Sequence, residues 1–228
     1  MRLALPIELH AGHPYLNIDG RRWVLDTGAP VSFGEAPSHP LESSIPFVRK
    51  HGDFDADVVS RFLGVPVAGV IGGDFLNRHD HRLDLPSGRY EACDELASSG
   101  HEHTLSFPAQ LQGLPTIKAK IGEDEGDFLF DTGAQLSYHV GRPSVGNVPG
   151  EVVWDFWLGL PQPRFQTPTY TAEVTFTDYA TTLRFGEPPA ELHQFLLGLG
   201  LRGVIGIDLI ARHVSWYAPR RRRLQVRR

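Results

Sequence analysis

Two aspartates stand in nearly the same surroundings. Val24 to Phe33 reads VLDTGAPVSF and Phe128 to Tyr138 reads FLFDTGAQLSY, which puts Asp131 105 residues after Asp26. Each acid follows an apolar triplet, Trp23-Val24-Leu25 or Phe128-Leu129-Phe130, and precedes Thr-Gly-Ala, then a serine (Ser32, Ser137) and an aromatic (Phe33, Tyr138). One Asp-Thr-Gly is an ordinary strand-to-turn junction. Two copies raise a chemical possibility, because hydrolysing an unactivated amide requires a base to take a proton from water and an acid to serve the carbonyl oxygen. A pair of carboxyls can do both. Held about 3 Å apart, two carboxyls cannot both ionise cheaply, so they retain one proton over an acidic window.

The duplication extends well beyond these loops. GDFDADVVSRFLGVPVAGVIGGDFLNRH from Gly52 aligns without a gap to GEPPAELHQFLLGLGLRGVIGIDLIARH from Gly186, at an offset of 134 residues. Each copy opens with helix-start chemistry, acidic in one and Pro188-Pro189 in the other, and meets a glycine stop at Gly64 or Gly198. A buried strand follows, Gly69-Val70-Ile71-Gly72 or Gly203-Val204-Ile205-Gly206, whose last glycine marks a close backbone approach. Asp74 and Asp208 come next and read as helix N-caps or loop-bonding acids. The two offsets differ by 29 residues, so the second copy carries that surplus between its Asp-Thr-Gly and its helix. VVWDFWLGL and TPTYTAEVTFTDYATTLRF lie there, β-branched and aromatic, and read as an added hairpin. With 24 Gly and 18 Pro, the chain reads as all-β with short helices: two related β-barrel-like lobes, 1–98 and 99–228, linked through the polar stretch Glu95 to His103.

Composition narrows the function classes. A net charge of −5 and a pI near 6.1 give no basis for binding nucleic acid, and Arg220 to Arg223 read as a solvated hairpin. The N-terminus does not read as a secretory signal, and no stretch approaches a membrane span. Cys93 is the only cysteine, which leans towards a reducing compartment, with the cytoplasm as the default expectation. The clusters His79-Asp80-His81 and His101-Glu102-His103 lack zinc-ligand spacing on a helix and read as solvated loops, so no metal is expected.

Taken together, the paired apolar-apolar-Asp-Thr-Gly-Ala stretches and the runs Val70-Ile71-Gly72 and Val204-Ile205-Gly206 resemble the aspartic protease superfamily, with both pepsin-like and retropepsin-like features. The resemblance covers nearly the whole chain. It implies a bilobal acid-protease-like fold and an aspartic endopeptidase whose dyad is Asp26 and Asp131. It further implies that Thr27 and Thr132 hydrogen-bond across the lobe interface, that Gly28 and Gly133 admit backbone N–H groups to the carboxylates, and that Ser32 and Ser137 support the loops from behind. Trp157, Tyr170, Gly72 and Gly206 are the candidate substrate-binding positions. The implied partner is an extended polypeptide, with no cofactor, and a monomer suffices because both Asp-bearing units are present. A flap is expected from about Val152 to Phe185, its tip at Leu160 to Pro168, on the second lobe rather than the first. The alternative is a noncatalytic peptide-binding module on the same fold.

Overall fold

A computed structural model describes residues 2–93, 100–141, 148–177 and 179–227. Strands take up 48% and helices 14% of it, so the all-β expectation holds. In the first unit the strands are β1 (Arg2–His10), β2 (His13–Ile18), β3 (Arg21–Leu25), β4 (Phe33–Gly34), β5 (Lys50–His51), β6 (Phe54–Asp55), β7 (Gly69–Ile71), β8 (Asp80–Asp84) and β9 (Arg89–Cys93), with helices α1 (Ala56–Leu63) and α2 (Gly73–Leu76). The second unit repeats the plan. Its strands are β10 (His101–Ser106), β11 (Thr116–Ile121), β12 (Asp124–Phe130), β13 (Ser137–His139), β14 (Val148–Phe156), β15 (Arg164–Thr175), β16 (Ala180–Gly186), β17 (Gly203–Ile205), β18 (Val214–Ala218) and β19 (Arg223–Arg227), with helix α3 (Ala190–Gly198). The expected linker falls largely on residues 94–99, outside the described residues, while His101 to His103 already belong to β10.

Local chemistry explains the hairpins that deliver each aspartate. Asp19 and Gly20 both take positive φ (52° and 75°), the geometry of a two-residue turn whose twist matches the strands it joins, here β2 and β3. Beside β3, the Gly-ended strand β7 runs parallel, pairing Trp23 with Gly69 and Leu25 with Ile71, and β4 returns antiparallel on its other side. In the second unit β12, β17 and β13 make the same three-stranded arrangement, pairing Phe128 with Gly203 and Tyr138 with Val204. The helix α1 begins at Asp55, whose carboxylate accepts from the Val58 N–H at 2.8 Å, and ends on left-handed Gly64, as read. Helix α3 overruns its expected stop: Gly198 is its last residue, Leu199 is the C-cap and the positive φ falls on Gly200.

The two units are joined by one antiparallel sheet in the order β1–β9–β8–β18–β19–β10, three strands from each. Its central pairing, β8 with β18, runs from His81 opposite Tyr217 to Asp84 opposite Val214. Arg220 to Arg223 lie exposed at the β18–β19 hairpin, as expected. Between the sheet and the aspartate loops, Leu76, His81, Tyr217 and Leu224 face Leu25, Thr27, Phe130 and Thr132 across a small apolar gap. The sheet is the floor on which both loops stand. No helix among the described residues is long and apolar enough to cross a membrane.

Candidate active site

Asp26 follows β3 and Asp131 follows β12, each with its backbone N–H donating to the end of the Gly-ended strand, at Ile71 O and Ile205 O, both 3.0 Å. The chain then turns back on its own carboxylate. Oδ1 of Asp26 accepts from Gly28 N (2.7 Å) and Ala29 N (3.1 Å); Oδ1 of Asp131 accepts from Gly133 N (2.8 Å) and Ala134 N (3.2 Å). These bonds fix one oxygen of each acid and leave the other free. The two carboxyls lie close enough across the unit interface for the ionisation of each to depend on the other. Each glycine also faces the opposite acid: a Cβ on Gly28 would overlap the Asp131 carboxyl, and one on Gly133 the Asp26 carboxyl. At these two positions glycine is required by close approach.

The threonines lock the loops reciprocally. Thr27 N donates to Thr132 Oγ1 and Thr132 N to Thr27 Oγ1, both at 3.0 Å, while Thr27 Oγ1 donates to Phe130 O and Thr132 Oγ1 to Leu25 O, both at 2.8 Å. All four groups are buried, so every bond is one the native state must keep. Burial pushes both carboxyls up. Asp131 is held well above the usual carboxylate range by burial together with the neighbouring Asp26 charge; Asp26, half-buried, is raised by loss of solvent and partly restored by hydrogen bonds from Asp131, Gly28 and Ala29. Two carboxyls so coupled titrate as a pair rather than as separate residues.

Ser32 and Ser137 stand behind the loops as expected, accepting from Gly72 N (2.9 Å) and Gly206 N (3.0 Å). Gly72 and Gly206 are therefore corrected from substrate-binding to loop-packing positions: both are buried, and a Cβ on either would strike the loop carbonyls of Ala29 or Ala134. Asp74 is a loop-bonding acid that accepts from Ser32 N (2.8 Å) and Ser32 Oγ (2.5 Å), whereas Asp208 accepts from Arg184 N (3.3 Å). Neither caps a helix through its side chain, since Gly72 and Gly206 hold the cap positions. His39 completes a Ser–His–Asp cluster with Ser32 and Asp74, but its polarity is wrong for a nucleophile. His39 Nδ1 accepts from Leu41 N and Glu42 N, so Nε2–H donates to Ser32 Oγ, which already accepts from Gly72 and donates to Asp74.

The surplus of the second unit forms the expected hairpin, with different edges. Its first strand, β14, begins at Val148, and Arg164 to Pro168 belong to β15 because Phe156 pairs with Arg164; the loop is 157–163. Ala180–Gly186 are not part of it: they form β16, pairing with β15 and β13 in the body of the unit. Two bonds tie the hairpin to the Asp131 loop region, from Gln135 Nε2 to Trp154 O (2.9 Å) and from Tyr138 Oη to the buried Asp155 carboxylate. Beyond them it reaches the first unit: Phe156 stacks on Phe62 of α1 (5.4 Å between ring centres) and lies 5.6 Å from His13, and Leu158 packs on the cluster of Tyr15, Val24, Phe33, Val59, Val67 and Val70. Trp157, in the loop, packs half-buried against the second unit's cluster around Leu129, Leu136 and Tyr138. Tyr170 is corrected to a core position; it is 6% exposed and stacks on Phe185. In the first unit, residues 34–51 make no such hairpin but pack on the core through Ala36, Leu41, Ile45 and Phe47.

Apart from His79, which lies in the bend before β8, both histidine clusters prove to be on strands of the central sheet rather than in solvated loops. His79, Asp80, His81 and His103 are buried, and only His101 and Glu102 of the two triplets are exposed. His81 sits between Tyr90 and Tyr217, Nε2–H donating to Leu76 O (2.8 Å) and Nδ1 accepting from Tyr90 Oη (2.7 Å). Among the described residues no group of three His, Cys, Asp or Glu side chains is placed to hold a metal. No protein-family model and no curated protein matches this chain.

Proposed function

We propose that the chain is an aspartic endopeptidase that hydrolyses extended polypeptides through the Asp26–Asp131 pair. The observation that carries this reading is the placement of two carboxyls, each pinned at one oxygen by its own loop and closed in by the opposite loop's glycine. A water bound between the free oxygens attacks the carbonyl carbon; the ionised carboxyl takes its proton while the protonated one donates to the carbonyl oxygen. Collapse of the tetrahedral adduct breaks the C–N bond, and the amine leaves with a proton from the pair. No metal or cofactor is invoked in these steps. The hairpin β14–β15 is the flap of this reading, crossing from the second unit to α1 and excluding water from the reacting bond.

The test is incubation with a diverse peptide library across pH 3 to 7, read by mass spectrometry, beside Asp26→Asn and Asp131→Asn. Cleavage by the wild type and not by either variant is the expected result. Near-wild-type turnover by both variants overturns the dyad. Binding of peptides without any cleavage transfers the site to a noncatalytic peptide-binding role.

A further inference from the structure

We infer that His13 is a positioning residue of this site, which holds the Asp131 loop in working geometry and couples it to the seating of the flap; the inference rests on the peptidase reading above. His13 opens β2 in the first unit, yet its ring is buried against the second unit's aspartate loop. Its Nδ1 lies 2.8 Å from Gly133 O. A carbonyl only accepts, so Nδ1 carries the hydrogen and donates. Gly133 is the residue whose N–H holds Asp131 Oδ1 at 2.8 Å, so a single residue links the imidazole's bond to the one that holds the Asp131 carboxyl. The face of the same ring meets Phe156 of the flap, and the turn before it, at Gly12, is packed so closely on Gln135 that a Cβ there would lie 2.6 Å from the Gln135 Cβ. Gln135 in turn donates to the flap at Trp154 O. His13 thus touches the loop, and its own turn touches the flap's anchor.

The repeat makes the point by contrast. GHPYLNIDG in the first unit corresponds to GLPTIKAKIG in the second, which puts Leu114 where the first unit has His13. Leucine cannot donate a hydrogen bond, and Leu114 packs with the apolar cluster of the second unit. Only the Asp131 loop receives this side-chain bond from the opposite unit's β2 position. That is also the loop beside which the single flap is anchored, so the histidine and the flap are placed on the same side of a nearly twofold site.

The test compares His13→Leu, which installs the second unit's residue, with His13→Asn, whose side-chain N–H can occupy the place of Nδ1–H. Both are assayed on the best-cleaved peptide from the library, with melting temperature recorded for each. His13→Leu is expected to lower kcat at least tenfold with KM changed less than threefold, and His13→Asn to recover most of that loss. Combining His13→Leu with Phe156→Ala should cost less than the product of the single effects, since both act on one contact. Unchanged kcat in His13→Leu, a rise in KM alone, or a His13→Asn as slow as His13→Leu would overturn the inference while leaving the peptidase reading intact. A wild type that cleaves no peptide removes both.

Discussion

At the scale of the residue, the two aspartates differ from ordinary surface acids because each has been taken out of water and turned towards the other. A carboxyl raised above its unfolded value keeps a proton in the native state that the unfolded chain gives up, so its contribution to stability is present at low pH and is lost as pH rises through the folded pKa. Asp131, held well above the carboxylate range by burial and by Asp26, must therefore weigh on the fold at neutral pH. Asp131→Asn removes that charge while keeping the oxygen that accepts from Gly133 and Ala134. It should abolish hydrolysis, a loss of about 10³-fold or more, and raise the melting temperature at pH 8 by about 3 °C or more, equivalent to roughly 1 kcal/mol. Little gain is expected at pH 4.5, where the wild-type pair holds its proton; peptide cleavage and melts at the two pH values check both parts. Thr27→Val has the opposite sign. It strips the donor from Phe130 O and the acceptor from Thr132 N, both buried, and should cost about 2–4 kcal/mol in urea unfolding.

At the scale of the element, the hairpin β14–β15 is held near its loop by polar bonds to its own unit and by apolar contacts with the other. Beside its loop Trp154 and Asp155 bond to Gln135 and Tyr138 of their own unit, and next to them Phe156 meets the rings of Phe62 and His13 while Leu158 packs on the first unit's apolar patch. Contacts of that kind can part and re-form as a peptide enters, whereas a buried carboxylate paired to Tyr138 does not release readily. Replacing the loop 157–163 with a two-residue turn should therefore lower kcat/KM by about 10²-fold, the scale of a misplaced reacting bond. The melting temperature should fall by only a few degrees, since β14 and β15 keep their pairing. A collapse of stability with no selective loss of turnover would show that the hairpin is a structural brace. The hairpin was legible in the sequence as a surplus of 29 residues, because a duplicated chain exposes any insertion against its twin. Its edges were not, since which residues pair depends on the register of Phe156 with Arg164.

At the scale of the whole molecule, buried histidines bound the range of pH over which the fold survives. Burial pulls His13 down to about 4 and His81 down to about 3 from a usual value of 6.5, and lowers His39 and His139 as well. Each is neutral in the native state and must gain a proton on unfolding, so the stability it contributes is present above pH 6.5 and is lost as pH falls through its folded value. The slope is about 1.4 kcal/mol per pH unit for each such proton. His81→Gln should flatten the dependence of unfolding free energy on pH between 4 and 6 by about that amount, whatever it does to stability at pH 7; urea titrations across the window read the slope directly. On the peptidase reading, activity should be closed on the acid side by unfolding and on the alkaline side by loss of the dyad proton. Both aspartates belong to one chain whose two units are joined through β8 and β18, so on the peptidase reading specific activity should not change on dilution. A loss of activity that tracks dissociation in sedimentation would count against this.

The sequence by itself determined the repeat and the two aspartate loops, because a duplicated chain shows which positions its two copies share, and the resemblance carried by those loops pointed to the glycines, threonines and serines around them. It also determined that only one unit has chain to spare for a hairpin. Only the tertiary structure decided the rest. The triplets around His81 and His103 carry charge and look like loops until pairing places them in the central sheet, where neighbouring aromatics bury the imidazoles. Tyr170 looks like a cleft residue until its strand face turns it onto Phe185. The bond from His13 to Gly133 joins residues 120 positions apart, and no local pattern encodes a partner that the chain meets only when its two halves close on each other.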